Sequence, residues 1–331
     1  MNHTHLPRRR VLLAAWLATA SLGAQAALFG ASDAAPAPVV LKPDSVPADV
    51  FKHMIDDGAA LRHVSKAYSG ASKAVAIGTV RLNFVTDSSD TATTRQFMGK
   101  ATVSQSVNLK LQGVDIDTMQ ALADGFHAAL RRQLTAQGYE VVEQTKLLEN
   151  ADYQQAVAGT KGVAVSGGVT SVYAQGTGAV AGFAMRNFAF NLKLPVVLAD
   201  LTLNFAAFEK DTDRWAAGGY EISASVKSKM VSSVSGQMRL MTEDGGGANF
   251  DIVRPLALPG AIAERVEPIQ KSGAEVAGTA ALGVLSALMG SKAESASSSF
   301  LVVAAKDYRE VMTADLARVA AVVASVLQKR P

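Results

Sequence analysis

Between Ile222 and Leu240 apolar and polar side chains alternate almost without interruption. Ile222, Ala224, Val226, Met230, Val234, Met238 and Leu240 share one parity, while Ser223, Ser225, Lys227, Lys229, Ser233, Ser235, Gln237 and Arg239 share the other. Such alternation puts one set on a buried sheet face and the other in water. At about 3.3 Å per residue a single strand of this length would reach roughly 60 Å, far beyond usual strands. The pattern therefore predicts two strands with a bend or break at Val231–Ser233. Val75–Phe84 and Ala101–Leu111 read as extended too, the latter with Val103, Val107, Leu109 and Leu111 in step. Asp87–Thr94 between them reads as a polar loop. Phe188, Phe190, Leu192 and Leu194 alternate before Pro195, and Leu201, Leu203 and Phe205 after it, which predicts two more strands.

Helical spacing is clearest after Gln112. Asp115 or Asp117 is placed to cap a helix in which Met119, Leu122, Phe126, Leu130 and Leu134 fall on one stripe. Gly138 ends it and Tyr139–Glu143 resumes a strand. A shorter helix is predicted over Leu147–Val157, β structure over Gly162–Ala174, and a loop over Lys210–Gly219. Asp244–Gly247 reads as a turn, followed by a short strand within Phe250–Leu258. Residues 260–290 read as helical, broken by Pro268 and Gly273. Lys292–Ser299 reads as a serine-rich link and Phe300–Ala305 as a last strand. The closing helix begins at Asp307, which with Glu310 makes an acidic variant of the capping box, and ends at Lys329 and Arg330.

The amino-terminal segment points to an address. Arg8–Arg10 form a basic start, Val11–Leu22 is an apolar run of about 12 residues, and Ala24-Gln25-Ala26 has the small-x-small pattern of a signal-peptidase site. Residues 1–26 are read as an export signal, since a spanning helix needs about 20 apolar residues. Arg8-Arg9-Arg10-Val11-Leu12 matches a twin-arginine signal only in part. Residues 27–49, with Pro36, Pro38, Pro43 and Pro47, read as a flexible lead-in. A helix or pair of helical turns is predicted over Val50–Tyr68. The expected organisation is an α+β domain over 50–258, with a candidate sub-boundary near 160–175, and a helical region over 259–331. The sheets are expected to be mixed or mainly antiparallel, with packed amphipathic helices.

Composition narrows the partners. The net charge of +3 contains Arg8, Arg9 and Arg10; without them 29 basic residues match 29 acidic ones, which argues against a nucleic-acid-binding face. There is no cysteine, so disulfides, thiolate metal sites and thiol nucleophiles are excluded.

Candidate chemistry is sparse. Beyond the signal only His53, His63 and His127 remain, none at a spacing that pairs two imidazoles on a helix. No Gly-x-Ser-x-Gly elbow or Ser-x-x-Lys motif follows the signal. Gly176, Gly178 and Gly182 approach a dinucleotide loop, but the third glycine comes one position late. Glu209, Asp211 and Asp213 lack the spacing of a calcium loop and read as an acidic turn. No cofactor, metal or catalytic residue is therefore expected.

The order of helix Thr118–Gln137 followed by Gly138-Tyr139-Glu140-Val141-Val142 resembles the α/β units of envelope-assembly proteins, such as the amino-terminal domain of TolB and the periplasmic domain of the curli secretion channel. The closing helix Asp307–Arg330 is similar to that of auxiliary components of envelope transport systems. Several such proteins are lipoproteins, from which the absence of cysteine departs. The resemblance implies an exported, non-enzymatic envelope protein, periplasmic or associated with the outer membrane, that serves assembly, transport or surface structure. Its partners would be envelope proteins or further copies of itself, with peripheral membrane contact as an additional expectation. Candidate docking residues are Val284, Leu285 and Leu288 on the Ala/Gly-rich segment, with Trp215 and Tyr220. An alternative reading is a carrier of lipid or another hydrophobic ligand lined by Phe188, Phe190, Leu203, Phe205, Val226 and Met230. A third, an exported hydrolase, would involve His127 or Asp211.

Overall fold

The alternating segments become strands that share their buried faces. The structure, a computed structural model, describes residues 39–40, 73–95, 102–159, 162–180, 184–213, 223–244, 246–252, 255–269 and 293–325. The chain divides at Ala35/Pro36, and every described residue belongs to the second unit. The export signal, the Val50–Tyr68 helix, Trp215, Tyr220 and the segment carrying Val284, Leu285 and Leu288 lie outside the described residues.

The described residues form both strands and helices, in an α+β arrangement with mixed sheets. The larger sheet runs in the order β1 (Val39–Val40), β13 (Leu256–Ala257), β11 (Ser233–Met241), β8 (Val196–Asn204), β2 (Ala74–Val85), β7 (Val169–Tyr173), β6 (Val163–Ser166). In addition β12 (Gly247–Asp251) pairs with β11, and β5 (Glu140–Val141) with β2. β2 and β8 are parallel, and β8 and β11 antiparallel. A second sheet has the order β14 (Ala263–Pro268), β15 (Ala293–Ala304), β4 (Thr102–Gln112), β3 (Asp87–Arg95). The hairpin of β9 (Ala207–Asp213) and β10 (Ser223–Lys229) packs against β3 and β4. The break expected in the long alternating stretch falls between Lys229 and Ser233.

Two helices, α1 (Ile116–Ala136) and α5 (Tyr308–Ser325), pack on each other and share one apolar core, and α1 packs on β2, β5 and β7 of the larger sheet. The Asp115 carboxylate caps α1 by accepting from the Thr118 amide at 2.7 Å. One apolar core joins Val75, Ile77, Val80, Leu82 and Phe84 of β2 with α1, α5, Val107 and Leu109 of β4 and Val302 of β15. The opposite face of β2 and β8, with Ala76, Val196 and Leu198, is covered by α2 (Gln144–Leu148), α3 (Ala151–Ala156) and α4 (Ala184–Leu192). Each fully buried large side chain contributes about 1.5–3 kcal/mol. Among the described residues no helix is long and apolar enough to cross a membrane.

Several expectations are corrected. Phe188–Leu192 is part of helix α4, because Met185, Phe188 and Ala189 form a helical face that is buried, whereas Phe190 is 47% exposed. Asp87–Thr94 is strand β3, whose backbone pairs with β4 along its length. The expected loop at Lys210 starts later, since β9 continues to Asp213. The serine-rich link belongs to β15, held in parallel register with β4. Within 260–290, Ala263–Pro268 is a strand rather than a helix, pairing with β15. Leu147–Val157 is split between α2 and α3, as Asn150 caps a new helix by accepting from the Tyr153 amide at 3.1 Å. Val39–Val40, inside the expected lead-in, joins the sheet edge.

Candidate functional site

Beside its apolar stripe α1 carries a polar one. Gln120, Asp124, His127 and Arg131 recur at spacings of four, three and four, which places them along one side of the helix. That side meets Glu143–Leu148 and the turn Ala174–Thr177. Gln120 Nε2 donates to the Tyr173 carbonyl at 3.0 Å and to Asp124 Oδ1 at 3.1 Å. The Gln175 amide donates to the same Asp124 Oδ1 at 2.7 Å. Arg131 forms a two-pronged ion pair with Glu143, its Nη1 donating to Oε2 at 2.6 Å.

The turn sits here because the edge of β2 is shared. β5 pairs with Ala74–Val75 and β7 with Arg81–Val85, which leaves a stretch between them. Residues 174–178 run along that gap: the Ala174 amide donates to the Val80 carbonyl, and Thr79 Oγ1 to the Gly178 carbonyl, both at 3.0 Å. Gly176 has φ of +81°, and a Cβ there would press on Gln144 Cγ at 3.0 Å. The glycine lets Gln144 Nε2 donate to the Gly176 carbonyl at 3.0 Å and to Tyr153 Oη at 2.7 Å. Tyr153 in turn donates to the Gly78 carbonyl at 2.8 Å, and burial pushes its phenol up to about 12. These bonds tie α1, α2, α3 and the sheet together.

His127 lies in this seam as a half-buried residue. Burial pulls its pKa below the ordinary value; Arg131 acts in the same direction, while Asp124 and Gln144 oppose it. Its Nε2 is buried without a hydrogen-bond partner. A cavity of about 450 Å³ opens along the seam, lined by Gln120, Asp124, Leu148, Tyr173, Gln175 and Gly176 among others. The sequence reading named His127 but missed Gln120, Asp124 and Arg131. Their helical spacing was the available signal.

A second polar cluster crosses the larger sheet. Arg81 Nε donates to Asp200 Oδ1 at 2.8 Å, Asn83 Nδ2 donates to the same oxygen at 2.8 Å, and Ser171 donates to Asn83 Oδ1 at 2.7 Å. Asp200 holds the Arg81 pKa above its ordinary value, mainly through these hydrogen bonds. The cluster satisfies itself across β7, β2 and β8, and so secures their register.

The remaining candidates are dispersed. Leu203, Phe205 and Val226 lie in the main core, with Met230 partly buried against it. Phe188 lies in the other core, its ring 5.3 Å from that of Tyr153. Phe190 is exposed, with the Lys193 ammonium 3.7 Å from its ring centroid. The six proposed lining residues thus belong to separate surroundings. Glu209, Asp211 and Asp213 lie on β9 rather than in a turn, and Glu209 pairs with Lys229. Among the described residues no group of three His, Asp or Glu side chains is arranged to hold a metal ion.

Two strands expose apolar side chains at sheet edges. Among the described residues β6 pairs only with β7 and β14 only with β15. Val165 on β6 is 69% exposed, and Val266 on β14 and the following Ile269 are exposed as well. Comparison of the chain with protein-family models, curated proteins and solved structures finds no match in any of the three.

Proposed function

We propose that this chain is an exported, non-enzymatic protein of the cell envelope, acting in assembly, transport or surface structure through protein contacts. The export part rests on residues 1–26, whose basic start, apolar run and Ala24-Gln25-Ala26 form a secretory signal. The contact part rests on one observation: among the described residues β6 and β14 each pair on one side only, and both carry exposed valines. An edge strand offers a row of backbone donors and acceptors to an incoming strand, and exposed apolar side chains add buried area when that strand arrives. On this reading β14 is the principal docking edge, since Val266 and Ile269 are both exposed there.

Photo-crosslinking in intact cells tests both parts. A photoreactive residue at Glu264 should yield a discrete adduct with an envelope protein or a second copy of the chain, and Val266→Lys should suppress it. Adduct yield no greater than from a probe at exposed Glu149 would remove the edge-strand reading. Recovery of the protein in the cytoplasmic fraction with its first 26 residues intact would remove the export reading.

A further inference from the structure

We propose that the cavity beside α1 is a binding site for a cationic nitrogen, a primary ammonium or guanidinium group received by the Asp124 carboxylate. Among the described residues that line the cavity, Asp124 is the one that carries a formal charge. Both of its described hydrogen bonds end on Oδ1, from Gln120 and Gln175, which leaves Oδ2 for a donor brought by a ligand. Gln120 commits its amide nitrogen to Asp124 and to the Tyr173 carbonyl, so the atom it has left is an acceptor, Oε1. The Gly176 carbonyl already receives Gln144, and the Thr177 hydroxyl donates to the Ala174 carbonyl at 2.7 Å. Around Asp124 the lining therefore offers oxygens, Oδ2 of Asp124 and Oε1 of Gln120, and a group that fits between them must donate.

The charge balance of the seam points the same way. The cation nearest along the stripe, Arg131, is paired with Glu143. His127 is disfavoured as a cation by its burial. Among the described residues no ion pair is formed by Asp124, which lines the cavity. A volume of about 450 Å³ falls within the range of small-ligand sites and accommodates an amine of amino-acid size, with Leu148 and Tyr173 to cover an aliphatic stem. The same chemistry is carried by a free small amine and by a lysine or arginine side chain of a protein segment.

Isothermal titration calorimetry of the purified protein tests this with cadaverine, agmatine, Nα-acetyl-lysine amide and, as the uncharged control, Nα-acetyl-norleucine amide. At least one cationic probe should bind saturably and the norleucine control should not. Asp124→Asn, which keeps an oxygen for Gln120 and Gln175, should weaken binding at least tenfold. Leu148→Lys, a change at a partly exposed position that supplies an internal ammonium, should also abolish it and serves if the first variant fails to fold. Preference for the free amines would identify a small-molecule site; preference for the blocked lysine would identify a partner's side chain. The proposal is overturned if no cationic probe binds, if the norleucine control binds equally, or if binding survives both substitutions. The assay does not involve the strand edges, so its outcome is separate from that of the crosslinking.

Discussion

Strands β2 and β3 follow one another in the chain and are built on opposite terms. β2 buries Val75, Ile77, Val80, Leu82 and Phe84 in one core and Ala76 in another. β3, of nine residues, buries Ala92, while Asp87, Ser89, Thr91 and Thr93 are exposed. Both are full sheet members, because the backbone of β3 pairs with β4 from Asp87 to Arg95. The contrast separates two sources of strand structure. β2 is specified by its own apolar side chains, whereas β3 is specified by a neighbour that offers it hydrogen bonds, helped by threonines that suit extended backbone.

The sharpest way to break this contrast is Phe84→Ala, which removes a fully buried ring from the larger core. It should cost about 3–5 kcal/mol, read from urea unfolding. A loss below about 1 kcal/mol would show that β2 is not central to stability. Gly236 probes backbone rather than side-chain specification: with φ of +121°, a Cβ there would run into the Asp200 carbonyl of β8. Gly236→Ala should therefore cost about 1–3 kcal/mol in the same assay. Asp115→Ala removes the cap from α1 and should lower the urea midpoint by less than Phe84→Ala does.

The seam on α1 lies between the two extremes, being polar yet partly buried. Burial holds the folded-state pKa of His127 below that of the unfolded chain. The unfolded state therefore takes up the proton first as pH falls through about 6.5, and stability present above that value is lost on the way down. Urea midpoints at about pH 7.5 and about pH 5 should differ less in His127→Gln than in the parent protein. An identical pH dependence in both would exclude His127 as its source. The smallest effect is expected on β3, where Thr91→Ala removes an exposed hydroxyl that bonds Ser106 at 2.8 Å and should change stability by no more than about 0.5 kcal/mol.

What could be read in advance follows the same division. The apolar stripe of α1, the strands around Phe84 and Leu203 and the break before Ser233 all lie in periodic apolar stretches, and periodicity is a local signal; the choice between Asp115 and Asp117 as the cap of α1 needed the structure. Phe188 and Phe190 misled because two aromatic residues two positions apart suit a strand as well as a helix. The decisive evidence was Met185 and Ala189 beside them, which give the buried face of α4. β3, β14 and the first half of β15 lack an alternating apolar pattern, so that by sequence they read as loop, helix and link. The candidate site was legible only as His127, because Gln120, Asp124 and Arg131 look like any solvated helix face until the facing segments are known.

By itself the sequence determined the α+β character, the apolar faces of β2, β8, β11 and α1, and the absence of any thiol chemistry. These depend on the order of side chains along a short stretch, which sets the period of burial. Only the tertiary structure decided that Asp87–Arg95 and Ala293–Ala304 are strands, since their pairing partner β4 is nonlocal to β15 and supplies what their own side chains do not. It alone brought the turn at Gly176 against Gln144 and Asp124, from three separate parts of the chain. A hydrogen bond between groups far apart in sequence exists only after the core has placed their backbones within about 3 Å of each other, and no local pattern records that placement.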